Sequence, residues 1–252
     1  MNTLTNIENT IQEKGAAYFI LIDPDNLPTN QTEKFVKHCV KSGVDGFLVG
    51  GSLLINGDLD KSIETIKKYC NLPVIIFPGS VSQLSDKADA VLFLSLISGR
   101  NAEHLIGKHV LAAPLIKRFN LEAIPTGYML IESGKTTTAE YVSESKPIPR
   151  DKPGIATATA LAGEYLGMKL IYLEGGSGAE NPVPDEMIEM VSSQISIPVI
   201  VGGGIRTPEE AGAKVKAGAK IIVTGNYFEN ENNWKLISAF AAAIHSNQVI
   251  EI

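Results

Sequence analysis

Three stretches place acidic, hydroxyl and glycine residues where they can act on a phosphorylated substrate. Asp23-Pro24-Asp25 offers two hard carboxylates. Such ligands suit Mg²⁺, which commonly binds through one or two carboxylates plus substrate phosphates. Asp-Pro-Asp-Asn is also good turn chemistry, so position in the fold has to decide. Tyr172-Leu173-Glu174-Gly175-Gly176-Ser177-Gly178 joins one carboxylate to four small residues. Its Glu can orient a hydroxylated substrate while backbone N–H groups meet a phosphate. Gly202-Gly203-Gly204-Ile205-Arg206-Thr207-Pro208-Glu209-Glu210 sets three glycines before a helix start. Thr207 can be the N-cap, Pro208 the first helical residue, and Glu210 completes a capping box. Glycine lets the backbone approach an anion, and the helix start supplies free N–H groups. Gly225-Asn226 can add N–H groups to the same phosphate, although Asn also favours left-handed turns. Ser52, after Gly50-Gly51, can help hold a metal or a phosphate; a tight glycine turn explains it equally well.

Each of these stretches closes an apolar run. Runs of strand length lie at 18–22, 46–49, 74–77, 90–94, 122–131, 170–173, 197–201 and 221–224. Runs apolar on both faces are what a sheet covered on both sides requires. Helical stretches alternate with them at 32–42, 58–70, 102–117, 155–166, 185–194 and 233–245, and residues 3–14 can form a helix plugging one end. Strict alternation implies a parallel sheet, and eight units close into a (β/α)8 TIM barrel; an open doubly wound sheet is the competing arrangement. One helix is missing. The fourth run begins only about ten residues after the third ends, too few for an ordinary crossover, so helix 3 is expected to be absent or vestigial. Pro125 inside the fifth strand predicts a bulge or bend. The Ser-, Thr-, Lys- and Pro-rich segment 132–154 reads as a long functional loop. A single domain over residues 1–252 accounts for the whole chain.

In such a barrel the C-terminal strand ends converge on one mouth. That gathers Asp23, Asp25, Ser52, Ser80, Glu174, Ser177, Gly203, Gly204 and Asn226. Alternation along the sixth strand puts Tyr172 and Glu174 on one face and Leu173 on the other. The four histidines, His38, His104, His109 and His245, fall in or near helices and read as surface or packing residues. Lysines near strand ends lie in loops, which gives a Schiff-base aldolase little support. Arg206 reads as a neighbour of the phosphate turn rather than a ligand.

Composition narrows the partners. Net charge is −6 and aromatic content 6%, with no long basic run, which excludes a nucleic-acid platform. Hydrophobic residues make up 44%, enough for a continuous core. Cys39 and Cys70 read as reduced thiols within helices. Residues 1–14 do not resemble a signal peptide, and no apolar run approaches membrane-spanning length, so a cytoplasmic protein is expected.

The chain resembles the geranylgeranylglyceryl phosphate synthase family, including its bacterial heptaprenylglyceryl relatives. The resemblance spans nearly all of it. It rests on Leu21-Ile22-Asp23-Pro24-Asp25, Val49-Gly50-Gly51-Ser52, Ile124-Pro125-Thr126-Gly127-Tyr128, Lys146-Pro147-Ile148-Pro149-Arg150, the Tyr172–Gly178 stretch, Gly202-Gly203-Gly204-Ile205-Arg206 and Thr224-Gly225-Asn226. The Pro-Ile-Pro-Arg stretch and the extra glycine after Glu174 are similar to the family's second group. The resemblance implies transfer of a polyprenyl group from its diphosphate to the C3 hydroxyl of sn-glycerol 1-phosphate, with release of diphosphate, for ether-lipid synthesis. It implies Mg²⁺ at Asp23 and Ser52. It implies glycerol phosphate contacts at Tyr172, Leu173, Glu174, Gly175, Gly176, Ser177, Gly178, Gly203, Gly204, Gly225 and Asn226. Family members form dimers and hexamers, so a homo-oligomer is expected; Trp234 can anchor an interface or pack within the subunit. Transient membrane contact is compatible with a prenyl substrate. Given the reaction that the resemblance implies, Glu174 is the candidate base for the attacking hydroxyl, and a gap left by helix 3 can house a prenyl tail along residues 78–100. Two other readings remain open at this stage: a phosphosugar isomerase or cyclase of the phosphate-binding barrel type, and a non-catalytic phosphometabolite-binding protein.

Overall fold

A computed structural model describes residues 2–27 and 29–245; residues 246–252, counted above in the single domain, lie outside the described residues. Eight short strands, all parallel, close on one another in sequence order. They are β1 (Ala17–Ile22), β2 (Gly46–Val49), β3 (Val74–Ile76), β4 (Ala90–Leu96), β5 (Glu122–Leu130), β6 (Leu170–Glu174), β7 (Val199–Gly202) and β8 (Ile221–Thr224). Alternate side chains serve two cores. Phe19, Leu48, Ile75, Leu92, Ile124, Tyr172, Ile200 and Val223 fill the barrel interior. Ile20, Val49, Ile76, Val91, Leu173, Val201 and Ile222 point outward, under the helices. This two-sided burial is why the strands carry near-continuous apolar sequence.

The lower end is plugged as expected. Helix α1 (Thr3–Lys14) sends Ile7 into the inner core, with Leu4 and Ile11 packed against it. The Glu122 carboxylate caps its free N-terminal groups, accepting the Thr3 N–H at 2.5 Å and the Leu4 N–H at 3.1 Å. The outer ring contains α2 (Thr29–Lys41), α3 (Leu59–Tyr69), α4 (Lys108–Phe119), α5 (Thr138–Ser143), α6 (Pro153–Tyr165), α7 (Asp185–Ser192), α8 (Pro208–Lys216) and α9 (Ile237–His245). Between β3 and β4 residues 77–89 form turns and no helix, so the ring has the expected gap.

Several expectations are corrected. Segment 132–154 is not simply a loop: it contains α5, started by Thr137, whose side chain accepts the Glu140 N–H. It returns to the sheet at an isolated bridge between Ile131 and Ile148. Pro125 makes no bulge. The β4–β5 register runs unbroken from Ala90↔Glu122 to Leu96↔Tyr128. On its other side the Pro125 carbonyl accepts the Lys169 N–H at 2.8 Å, just ahead of β6. A strand residue's N and O point to the same side, so the missing N–H falls where no ladder has begun. Of the two readings open for Trp234, packing within the subunit is the one found, its ring 4.9 Å from that of Phe35 and its Nε1 donating to the Phe228 carbonyl at 2.8 Å.

Candidate active site

The C-terminal strand ends form one open mouth holding about 1550 Å³ of atom-free space, open solvent included. Asp23, Ser52, Tyr172, Glu174, Gly176, Ser177, Gly178, Gly203, Gly204, Gly225 and Asn226 all line it. Leu173 does not: its side chain is buried in the outer core, as strand alternation requires. Gly175 is buried behind the mouth, its N–H donating to the Gly202 carbonyl at 2.9 Å.

Glu174 ends β6 and is 5% exposed. Its Oε1 accepts the Gly176 N–H at 2.6 Å. Burial pushes its pKa up to about 7, against the opposing pull of that N–H and of the Tyr172 hydroxyl. The Tyr172 hydroxyl is buried without a well-formed hydrogen bond, so its hold on Glu174 is loose. A carboxyl that titrates near neutrality can take a proton at ordinary pH, which an unperturbed one does poorly.

The glycine turns are conformationally required. Gly203 and Gly204 have φ of 83° and 75°, and Gly176 and Gly178 have 96° and 70°. The β7 turn is locked by the capping box at α8, where Thr207 and Glu210 exchange bonds. Arg206 is exposed but not free. Its guanidinium donates to the carbonyls of Ala179 (2.5 Å), Glu180 (3.1 Å) and Gly204 (3.3 Å), clamping the β6 and β7 turns together. Across the wall, Ser177 Oγ donates to Asn226 Oδ1 at 2.8 Å. The Lys135 ammonium sits over the same wall, 3.6 Å from where a Cβ on Gly178 would lie. Sequence reasoning set this lysine aside as a loop residue, and only the docking of residues 133–137 onto the β6 turn places it here.

The two aspartates divide their work. Asp25 accepts the N–H groups of Ile55 and Asn56, each at 2.8 Å, and that of Gly57. Those bonds hold its carboxyl below the usual range and commit it to bracing the loop after β2. Among the described residues, the Asp23 carboxylate accepts the Asp25 N–H and the Asn26 amide and no other group. Burial raises its pKa, and the neighbouring Asp25 adds to this. Its Oδ2 lies 2.9 Å from the place a Gly51 Cβ would occupy, so it faces the turn that carries Ser52. Among the described residues no group of three or more His, Cys, Asp or Glu forms a metal cage. One half-buried carboxylate and one hydroxyl therefore fit a cation that brings its remaining oxygen ligands from a phosphorylated substrate. Gln83 fixes the turn, its Nε2 donating to the Gly51 carbonyl at 2.9 Å.

A second cavity opens from the mouth through the gap in the helical ring. It encloses about 960 Å³, open side included, and is mainly apolar. Leu84, Val91, Phe93, Leu96, Ala112 and Ile116 line it, and Ser52, Phe77 and Tyr128 border both spaces. The expected path along 78–100 thus continues under α4. His109 stands on this wall, not at the surface, its Nε2 3.0 Å from Ser95 Oγ and its ring edge-on to Phe93. At the junction Phe77, Tyr128 and Tyr172 form an aromatic triangle with ring centroids 5.5–5.8 Å apart. Sequence reasoning missed Phe77 and Tyr128, although both lie at strand ends and the rule that found Glu174 reaches them.

Comparison with known proteins follows the same lines. The PcrB family model matches residues 8–244. The geranylgeranylglyceryl phosphate synthase of Chitinophaga pinensis is 50% identical over 234 residues, 92% of each chain. That of Thermococcus kodakarensis is 48% identical over 233 residues, covering 91% of this chain and 92% of its own. The crystal structure of (S)-3-O-geranylgeranylglyceryl phosphate synthase from Thermoplasma acidophilum, in complex with its substrate sn-glycerol-1-phosphate, superposes with a TM-score of 0.91 at 36% identity, covering 98% of this chain and 99% of the other.

Proposed function

The chain belongs to the PcrB family, and from that premise we propose that it transfers a geranylgeranyl-like group from its diphosphate to the C3 hydroxyl of sn-glycerol 1-phosphate. The observation that carries this reading is the meeting of an apolar cavity with a polar mouth at Ser52, Phe77 and Tyr128. A phosphosugar isomerase has no use for such a cavity. Here the prenyl tail lies along the gap in the ring, and its reacting carbon reaches the mouth at the junction.

The acceptor's phosphate is held by the turns at Gly176–Gly178, Gly203–Gly204 and Gly225–Asn226, through backbone N–H groups, Ser177 and the nearby Lys135. That leaves the C3 hydroxyl beside Glu174. Asp23 and Ser52 would hold Mg²⁺, and that ion would neutralise charge building on the diphosphate leaving group. The allylic C1–O bond breaks, the C3 oxygen bonds to C1, and Glu174 takes the hydroxyl proton. The partly exposed rings of Phe77 and Tyr128, backed by the buried Tyr172, give developing positive charge on the allyl group an aromatic surface to lie against. Holding nucleophile and allylic carbon in line is itself a large part of the acceleration.

Self-association belongs to the same proposal. Exposed Ile106, Val110 and Leu111 beside the tail cavity offer a surface for a dimer or hexamer, which light scattering checks. Among the described residues no helix is long and apolar enough to cross a membrane.

The test is direct. The purified protein is incubated with labelled sn-glycerol 1-phosphate and prenyl diphosphates of several lengths, with Mg²⁺ or with excess chelator. A lipid-extractable labelled product that disappears with chelator is expected. Absence of product with every donor would overturn the reading.

A further inference from the structure

Glu229 closes the one-turn 3₁₀ helix Asn226–Glu229 that follows β8. Its Oε1 accepts two side-chain amides, Asn226 Nδ2 at 2.9 Å and Asn26 Nδ2 at 3.1 Å. Each amide carries the connection further. Asn226 Oδ1 accepts the Ser177 hydroxyl at 2.8 Å, and Asn26 Nδ2 also reaches Asp23 Oδ2 at 3.3 Å. A chain of side-chain bonds therefore spans the mouth from the β6 turn, through the β8 turn, to the β1 turn. The 3₁₀ helix does not depend on it for anchorage. Phe228 is buried, and the carbonyls of Tyr227 and Phe228 are taken by Asn233 and Trp234. A carboxylate accepts and never donates, so Glu229 dictates which end of each amide faces it. Asn226 must then present its oxygen to Ser177 and take the serine's single proton, which ties the β6 and β8 turns together and leaves their backbone N–H groups and the second Asn226 amide hydrogen as the donors facing the mouth.

We propose that Glu229 is a positioning residue that sets the turns carrying Ser177 and Asn226, and so their N–H donors, against the acceptor's phosphate and, through Asn26, aligns the metal-binding Asp23 with them. This rests on the reading of Ser177 and Asn226 as part of the phosphate wall. Glu229 borders the mouth, and its role is exerted through the two asparagines that it holds. Gln at 229 keeps an oxygen that can accept both amides, whereas Ala leaves both amides free to turn over.

Calorimetric titration of sn-glycerol 1-phosphate into metal-free protein tests this without relying on turnover. Glu229→Ala should weaken acceptor affinity by about tenfold, the scale on which supporting shells matter. Glu229→Gln should restore most of the loss, with melting temperatures of both near that of the parent. In a Ser177→Ala background, Glu229→Ala should add little further loss, because its route runs through that serine. In turnover, Glu229→Ala should raise the acceptor KM more than it lowers kcat. Parent-like affinity in Glu229→Ala alongside a weakened Ser177→Ala would overturn the positioning role and leave the phosphate wall standing. Equal losses in Ala and Gln would also overturn it, by showing that charge rather than orientation matters. Parent-like affinity in Ser177→Ala would count against the phosphate wall itself, and with it the route assigned to Glu229.

Discussion

Gly203 and Glu174 meet across the β6–β7 seam so closely that a Cβ on Gly203 would lie 2.5 Å from Glu174 Oε1. The same Cβ would also fall 2.6 Å from the Gly176 nitrogen, the donor that holds that oxygen. One glycine thus sets the room available to both the acceptor phosphate and the base.

Gly203→Ala should therefore fold but act poorly. Its φ of 83° strains any side chain by about 1–2 kcal/mol, and the methyl displaces the carboxylate. A displacement of about 1 Å near reacting atoms can cost roughly 100-fold, so kcat/KM should fall by about that much. Melting should drop as well, because the methyl also meets the backbone nitrogens of Gly176 at 2.6 Å and Gly175 at 2.9 Å. Parent-like turnover would show that Glu174 is not held by this contact.

Glu174→Gln should lower kcat by about 10²–10⁴-fold while changing acceptor affinity little. In the parent, kcat/KM should rise with pH through about 7, where Glu174 loses its proton. The acceptor's phosphate also titrates near this range, but its limb persists in the variant, so comparing the two profiles isolates the carboxyl. Stability follows the opposite sign. A carboxyl raised from 4.5 to about 7 contributes fully below pH 4.5, and that contribution is lost as pH rises through 7. Removing the charge should thus raise the melting temperature above pH 7 and leave it unchanged near pH 4. A variant less stable than the parent at pH 8 would contradict the buried, desolvated carboxyl.

Ala112→Phe places a ring inside the apolar cavity beneath α4. Donors of about twenty carbons should show a KM raised roughly tenfold or more, the loss expected for a few displaced methylenes. Shorter donors should be used nearly as well as before. Competition assays with mixed chain lengths read the ratio, and an unchanged ratio would place the tail elsewhere.

Asp23→Asn and Asp25→Ala should separate cleanly. Asp23→Asn should raise the Mg²⁺ concentration for half-maximal rate by at least the 10–100-fold that outer-shell changes cause. Asp25→Ala removes the acceptor for three backbone N–H groups in the loop after β2. Solvent softens that loss to about 1 kcal/mol, and the Mg²⁺ requirement should barely move. Parallel Mg²⁺ titrations and melting curves of the two variants decide between these assignments.

Much of this was legible from residue order, for identifiable reasons. Strands such as Ile221–Thr224 were visible because both of their faces are buried, which leaves no polar residue to obscure the run. Their ends were less visible. β6 extends to Glu174 because Leu130 and Gly202 pair with that residue, and pairing is a property of neighbours. Helix α5 hid in a polar segment, although Thr137 followed by Glu140 is a capping pattern. Asp25 stays ambiguous in sequence because a turn aspartate and a metal aspartate look alike until the loop it braces is located. The chain from Asp23 to Ser177 through Glu229 joins positions about 150 residues apart, and no local signal marks it.

The gap between β3 and β4 has a consequence for how the protein is completed. In a full barrel, the outward faces of Val91 and Phe93 would be roofed by a helix of the same chain. Here they line an open trough roofed only in part, by α4 and α5. A prenyl tail lying there takes over the job of the absent helix. The substrate would then cover apolar surface that the chain itself leaves open. Melting temperature should climb with donor and stay high with lipid product, because either one binds the folded trough and not the unfolded chain.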